Sequence, residues 1–248
     1  MYNPFSLEGK TILVTGASSG IGQSTAIECS KMGAALVITG RNAERLQDTF
    51  NQLEGVGHKQ IVADLSNQDG IDTLVASLPK LEGAVLCAGI GMTKPIQFSD
   101  REKFDKIFNT NLFSNAEISR LLFKKKILKS LSSLVFIVSV GGILTFHYGN
   151  AIYGASKAAL NSFMKFCALE FASRKIRVNS VCPGMIETPL TAPSVISEEQ
   201  HEIYKKRYII QRYGKPEEVA YAAIYLLSDA SSWVTNTSLV VNGGGIKL

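Results

Sequence analysis

Short apolar runs recur almost to the C-terminus, each followed by a polar or Gly-rich turn and then a longer amphipathic segment. Seven runs read as strands: Thr11–Thr15, Ala35–Thr39, Lys59–Val62, Gly83–Cys87, Leu134–Ser139, Arg177–Cys182 and Ser238–Val241. Helical patterns fall near Gly20–Met32, Ala43–Leu53, Gln68–Ser77, Arg101–Phe108, Leu112–Lys129, Ala151–Ser173, Glu198–Tyr208 and Pro216–Ser228. Strands that are apolar on both faces and alternate with helices predict an α/β, doubly wound (Rossmann) fold. Its sheet is seven-stranded and mostly parallel, with helices on both faces. No Pro/Ser-rich linker, low-complexity stretch or 20–50-residue repeat divides the chain, so residues 1–248 read as one domain. Residues about 185–212 differ in texture: Pro189 and Pro193 interrupt them, and charged and aromatic residues follow. This segment is either a substrate lid or a surface connection.

Composition narrows the class. With 248 residues, 46% hydrophobic and 19% charged, the chain is long and apolar enough to bury a core and excludes general disorder. Lys and Arg exceed Asp and Glu by 26 to 21, and the excess concentrates only in Lys124-Lys125-Lys126 with Lys129, and in Lys205-Lys206-Arg207. Without aromatic interleaving or a zinc-finger pattern these are solvated helix faces, and no nucleic-acid partner is expected. The greasiest stretch, Leu131 to Phe146, is short of the roughly 20 residues a span needs and is broken by Ser and Gly, so no membrane partner is expected. Cys29, Cys87, Cys167 and Cys182 form no C-x-x-C pair and no cluster with His, which argues against a metal and for free thiols in a reducing cytoplasm. The first ten residues lack a basic region followed by an apolar one, so a signal peptide is not expected and a cytoplasmic location is.

Chemistry enters directly after the first strand, at Thr15-Gly16-Ala17-Ser18-Ser19-Gly20-Ile21-Gly22. Gly16 permits a tight turn, Gly20 lets backbone N–H groups approach a pyrophosphate, and Gly22 lets the helix pack near the strand. The second strand ends Thr39-Gly40-Arg41. An acidic side chain there would suit the ribose hydroxyls of NAD(H). Gly40 followed by a guanidinium instead suits a 2′-phosphate, so NADP(H) is the preferred cofactor and NAD(H) the alternative. Ser139 closes the fifth strand, and Tyr153 and Lys157 lie four residues apart on one face of a long helix. A phenol is a weak acid–base catalyst at neutral pH, and a nearby ammonium favours the phenolate, so Lys157 is expected to tune Tyr153.

Together, T-G-x-x-x-G-x-G, Ser139 and Y-x-x-x-K resemble the short-chain dehydrogenase/reductase family over nearly the whole chain. Further matches are Asn111 in Asn109-Thr110-Asn111-Leu112, Arg177 to Gly184, Thr188, and Val241-Asn242-Gly243-Gly244. The nearest texture is the 3-oxoacyl-[acyl-carrier-protein] reductase branch. The resemblance implies that Tyr153 exchanges a proton with the substrate oxygen and that Ser139 hydrogen-bonds it. It also implies that Lys157 holds the nicotinamide ribose and that Asn111 positions a water in a proton relay. Asp64 and Leu65 would border the adenine, Ala88 and Gly89 would join the cofactor wall, and Pro183, Gly184, Ile186 and Thr188 would seat the nicotinamide. A homo-oligomer, tetramer or dimer, is implied through the long helices and the C-terminal segment.

Two departures stand out. The family's N-A-G reads Cys87-Ala88-Gly89, which puts a poor hydrogen-bonding thiol where an amide is expected near the adenosine side. The Ser139–Tyr153 separation is one residue longer than usual in this branch, which lengthens a loop whose Phe146, His147 and Tyr148 are candidate substrate contacts. The resemblance implies an NADPH-dependent carbonyl reductase or alcohol dehydrogenase. Its substrate would be a 3-oxoacyl thioester on an acidic carrier met by Lys129, Arg174 and Lys175, or a small keto compound, sugar or sterol. A catalytically silent nucleotide-sensing or scaffold protein is the alternative from another class.

Overall fold

A computed structural model describes residues 2–191 and 198–245. Seven strands, β1 (Thr11–Thr15), β2 (Ala35–Gly40), β3 (Lys59–Val62), β4 (Leu81–Leu86), β5 (Leu128–Ile137), β6 (Arg177–Pro183) and β7 (Ser238–Val241), form one sheet in the order β3-β2-β1-β4-β5-β6-β7. Every neighbouring pair is parallel. Between them run α1 (Gly20–Lys31), α2 (Ala43–Phe50), α3 (Gln68–Ser77), α4 (Arg101–Phe108), α5 (Ser114–Lys124), α6 (Ala151–Glu170), α7 (Glu198–Lys205) and α8 (Pro216–Leu227).

The apolar runs serve both faces because successive side chains of a strand point to opposite sides. Ile12 and Val14 of β1 enter the core that holds Ala26 of α1 and Val219 and Ala223 of α8. Leu13 enters the opposite core, with Leu74 of α3, Ile118 of α5 and Leu160 of α6. Three helices begin where an Asx side chain takes a free N–H: Asn42 from Arg45 (2.8 Å), Asn67 from Gly70 (2.9 Å) and Asp100 from Lys103 (3.0 Å).

Boundaries at the end of α5 and at both ends of β5 depart from the sequence pattern. The helix expected over Leu112–Lys129 ends at Lys124, the backbone turns through Lys126 at φ 53°, and β5 starts at Leu128. Ile127 and Leu128 are buried in the core that also takes Leu121 and Leu122, so apolar spacing stays helix-like across a backbone that has left the helix. The strand then bulges: its register jumps from Leu81↔Leu128 to Gly83↔Ser133, and Leu131, at φ 68°, points into solvent. At its other end β5 stops at Ile137, two residues before the expected Ser139, although Val138 N–H still donates to Val181 O (2.9 Å).

Strand order reverses between β1 and β4, since β2 and β3 lie on one side and β5 to β7 on the other. In such sheets the crevice at the carboxyl ends of these two strands is where ligands bind.

Candidate active site

The loops after β1 and β4 meet in that crevice at backbone distance. Gly16 has φ 67°, and a Cβ on it would lie 2.9 Å from Ala88 Cα; a Cβ on Gly22 would lie 2.3 Å from Gly16 O. Thr15 Oγ1 pins the second loop by accepting from Cys87 N–H (3.0 Å) and Ala88 N–H (3.1 Å). Ser19 caps α1 by position only, with no side-chain hydrogen bond, and the helix has no acidic residue in its first turn. Around Ser18, Ser19, Gly20 and Ile21 the positive helix end is thus open to an anion, which fits the pyrophosphate of a dinucleotide. Thr188 closes over Gly20, with its Cγ2 3.2 Å from where a Cβ would sit.

The adenosine end follows from β2 and β3. A Cβ on Gly40 would meet Ser18 Oγ at 3.0 Å, so a side chain there fits only where Ser18 gives way, and Arg41 beside it is exposed. Asp64 accepts from Ser66 N–H (3.0 Å) and Ser66 Oγ–H (2.8 Å), which together with the nearby Arg41 charge hold its carboxyl below the usual range. Leu65 is buried behind it.

The reacting groups come from three other elements. Between α4 and α5 the chain makes a wide π-turn, Asn109–Phe113, and inside it Asn111 is buried. Its Oδ1 accepts from Ile90 N–H (2.8 Å), and its Nδ2 donates to Ile90 O (3.0 Å) and Ser156 Oγ (3.1 Å). These bonds clamp the loop after Gly89 against α6. Ser139 follows β5, accepts from Gly141 N–H (3.0 Å) and faces Tyr153 across Gly141: its Oγ and Tyr153 Cε1 lie 3.3 and 4.0 Å from where a Gly141 Cβ would sit. Tyr153 lies in the first turn of α6, and Lys157 one turn further donates to Ile137 O (3.0 Å).

The electrostatics differ from the expectation. Burial pushes the Tyr153 phenol up and outweighs the hydrogen bond from Ser139, which favours the phenolate. The Lys157 ammonium lies 5.9 Å from the phenol ring centre and is itself pulled by burial from the usual 10.5 to about 8.

All the remaining expected residues fall on this same edge. Pro183 ends β6, Gly184 donates its N–H to Val241 O (2.9 Å), and Ile186 is buried. Phe146, His147 and Tyr148 stand exposed on the connection from Ser139 to α6. Of the segment 185–212, residues 192–197, which include Pro193, lie outside the described residues.

Comparison with known proteins fits this geometry. A family model described as enoyl-(acyl carrier protein) reductase matches residues 16–245. The 3-oxoacyl-[acyl-carrier-protein] reductase of Rickettsia prowazekii is 38% identical over 239 residues, covering 96% of this chain and 97% of that protein. The chain belongs to the short-chain dehydrogenase/reductase family. A tropinone reductase homolog of Arabidopsis thaliana is 33% identical over 97% of this chain and 91% of that protein. Among solved structures, a short-chain type dehydrogenase/reductase from Mycobacterium marinum superposes with a TM-score of 0.87 at 31% identity, covering 98% of this chain and 97% of that one. Another, from Beutenbergia cavernae, carries NADP at low occupancy and has a TM-score of 0.87 at 29% identity over 98% of this chain and 99% of that one. Membership makes the protein an oxidoreductase of the CH–OH/C=O couple.

Within this family the chain's own departures have physical consequences. The Cys87 thiol is pushed up to about 12 by burial, a shift that the Lys157 charge opposes. Its missing amide leaves the β4 turn to Thr15, a role the sequence did not signal because threonine at a strand end reads as ordinary strand. The basic trio expected to meet a carrier is partly spent inside the molecule: Lys129 pairs with Glu82, and Arg174 donates to Leu128 O (2.5 Å) and lies over the Phe123 ring.

Proposed function

We propose that the protein is an NADPH-dependent carbonyl reductase, reversible as an alcohol dehydrogenase, whose substrate is a 3-oxoacyl thioester or a related ketone. The carrying observation is the placement of Ser139 and Tyr153 around Gly141, beside buried Lys157 at the carboxyl edge of the sheet and next to the glycine turn. Names of the relatives support the 3-oxoacyl substrate, and Arg41 beside side-chain-free Gly40 supports NADP(H) over NAD(H). Bound here, the nicotinamide supplies or takes the hydride.

The residues then divide the remaining work. Tyr153 gives its phenolic proton to the carbonyl oxygen during reduction and takes one back from the alcohol during oxidation. Ser139 hydrogen-bonds the same oxygen and stabilises the charge that develops on it. Lys157 adds positive charge and reaches toward the ribose, while Asn111 holds the Gly89–Ile90 loop in place. Gly16, Ser18, Ser19, Gly20, Ile21 and Gly22 bind the pyrophosphate. Arg41, Asp64 and Leu65 border the adenosine, with Ala88 and Gly89 in the wall, and Pro183, Gly184, Ile186 and Thr188 seat the nicotinamide. Residues 1–248 act as one domain with residues about 185–212 as a lid over the site.

A homo-oligomer in the cytoplasm completes the reading. Phe113, Phe166 and Leu169 are exposed, and Phe113 and Phe166 flank a groove of about 560 Å³ between α5 and α6 that a second copy would cover. Light scattering checks this: a mass of one chain overturns it.

The function itself is tested by following NADPH oxidation with 3-oxoacyl thioesters, isolated ketones, sugars, sterols and a 2-enoyl thioester. Turnover of ketones supports the reading. Turnover of the 2-enoyl thioester alone would support an enoyl reductase, and tight NADPH binding with no turnover of any substrate would support a silent nucleotide sensor.

A further inference from the structure

Asn115 lies in the first turn of α5, fully buried, one helical turn beyond Asn111. Its Nδ2 donates to three carbonyl oxygens: Asn111 O (2.9 Å), Ala88 O (3.2 Å) and Thr110 O (3.4 Å). That set fixes which way the amide points, because an oxygen in the place of Nδ2 would face acceptors only. Oδ1 is left buried with no partner among the described residues. Burying an unpaired acceptor is unfavourable, so what the amide contributes lies in the carbonyls that Nδ2 holds.

The bond to Ala88 reaches outside the helix. Thr15 Oγ1 takes the Ala88 N–H and Asn115 takes the Ala88 C=O, so the peptide planes on both sides of Ala88 are fixed. The Ala88–Gly89 peptide is trans, and in a trans peptide the N–H and C=O point in opposite directions. With Ala88 O drawn toward α5, Gly89 N–H is turned away from it. Gly89 is exposed, and its N–H has no hydrogen-bond partner among the described residues. It lies where the reacting groups converge: a Cβ on Gly89 would be 3.3 Å from Lys157 Nζ and 3.2 Å from Asn111 Oδ1. A fixed, unpaired donor at the rim of the crevice, beside an ammonium, suits an oxygen of a bound dinucleotide.

We propose that Asn115 is a positioning residue for cofactor binding: by holding Ala88 O against α5 it aims Gly89 N–H at an acceptor oxygen of NADP(H). The inference rests on the NADPH-dependent reductase reading above and deepens it. Asn115 itself touches neither cofactor nor substrate, so its loss falls on NADPH affinity and leaves proton transfer at Tyr153 in place.

The test compares the purified full chain with its Asn115→Leu and Asn115→Thr variants. It measures the NADPH dissociation constant by fluorescence titration, KM for NADPH and kcat with a ketone, and melting curves to verify folding. Leucine removes all three bonds. Threonine places a hydroxyl one atom nearer the backbone, where it reaches the carbonyl four residues back, as Ser114 and Ser119 do in this helix (both 2.6 Å). It therefore keeps Asn111 O and releases Ala88 O. Both variants are expected to weaken NADPH binding about 3- to 10-fold, with a matching rise in KM and with kcat at saturating NADPH within about 2-fold of wild type. A further readout needs no variant: in isotope-labelled wild type, NADPH should slow hydrogen exchange at the Gly89 amide. Wild-type affinity in Asn115→Thr, a fall in kcat at unchanged affinity, or Gly89 exchange that NADPH does not slow overturns the inference while leaving the reductase reading intact. Wild-type protein that binds no NADPH overturns that reading and the inference with it.

Discussion

At the turn between β1 and α1, backbone meets backbone: Gly16 and Ala88 approach so closely that a Cβ on the glycine would lie 2.9 Å from Ala88 Cα. Across the same edge of the sheet, around Tyr153, no main-chain atom does the chemistry. There Ser139, Lys157 and Asn111 are placed by side-chain hydrogen bonds to the main chain at Gly141, Ile137 and Ile90, and Phe146 and Tyr148 stand 70% and 85% exposed beside them. The first region specifies its ligand by leaving side chains out, so a dinucleotide's shape is written in glycines. The second specifies a reaction by putting particular side chains in, and its outer wall is free to vary without disturbing the sheet.

The largest effect should come from breaking the second region alone. Tyr153→Phe removes only the phenolic hydroxyl, so the proton donor is lost while the ring still packs. Turnover should fall about 10³-fold or more, within the range for general acid–base catalysis. Affinity for NADPH, read by fluorescence titration, should change little because the glycine turn is untouched. Comparable loss of both would mean that the two regions are not separable.

That separation also governs what was legible in the sequence. Gly16, Gly20 and Gly22 after a strand, and Tyr153 with Lys157 at helical spacing, are local patterns, and each lands where it was expected. All seven strands were readable because parallel strands buried on both faces are continuous apolar runs. The end of α5 was not, since Ile127 and Leu128 keep the apolar spacing of a helix while Lys126 has already turned at φ 53°. Nor was Thr15 readable as a site residue, because it acts by accepting from Cys87 and Ala88 in a neighbouring strand's loop, contacts distant in sequence. The interplay of charge at Tyr153 also lay beyond the sequence, because burial depth decides it.

Breaking the first region alone is the converse. A Cβ at Gly22 would stand 2.3 Å from Gly16 O, a backbone atom that cannot swing aside. Gly22→Ala should therefore weaken NADPH binding about 100-fold or more, and overpacking should destabilise the protein by about 1–3 kcal/mol. Circular-dichroism melting separates the two effects: protein that stays folded at the assay temperature but no longer binds NADPH identifies the turn as the cause. Unchanged affinity would show that the close approach of strand and helix is dispensable.

Lys157 belongs to the second region by function but taxes the stability of the whole. Its pKa is depressed from 10.5 to about 8 by burial, so in the folded state it sheds its proton more easily than when unfolded. Below pH 8 both states are protonated and the folded state bears the cost of a buried ammonium. As pH rises from about 8 to 10.5 the folded state alone loses the proton, and this cost is relieved. Lys157→Met should abolish turnover yet stabilise the protein at pH 7 by about 2–3 kcal/mol in denaturant unfolding. The advantage over wild type should shrink toward pH 10. A destabilised variant at pH 7 would show that the bond to Ile137 O outweighs desolvation.

The smallest effect concerns the rim where the first region does use a side chain. Gly40 carries no acid to hold ribose hydroxyls, and exposed Arg41 lies close enough to Asp64 to lower its carboxyl. If Arg41 pairs with the 2′-phosphate, Arg41→Ala should lower the ratio of kcat/KM for NADPH over NADH about 10-fold, the scale of a charge-assisted hydrogen bond. Nearly all of the change should be on the NADPH side, because NADH offers the guanidinium no phosphate at that position. The wild-type preference should also weaken as salt is raised, since an exposed pair is screened, whereas the variant's ratio should respond little. A ratio that does not move on Arg41→Ala would leave the backbone turn as the sole source of cofactor recognition and remove the guanidinium from the site.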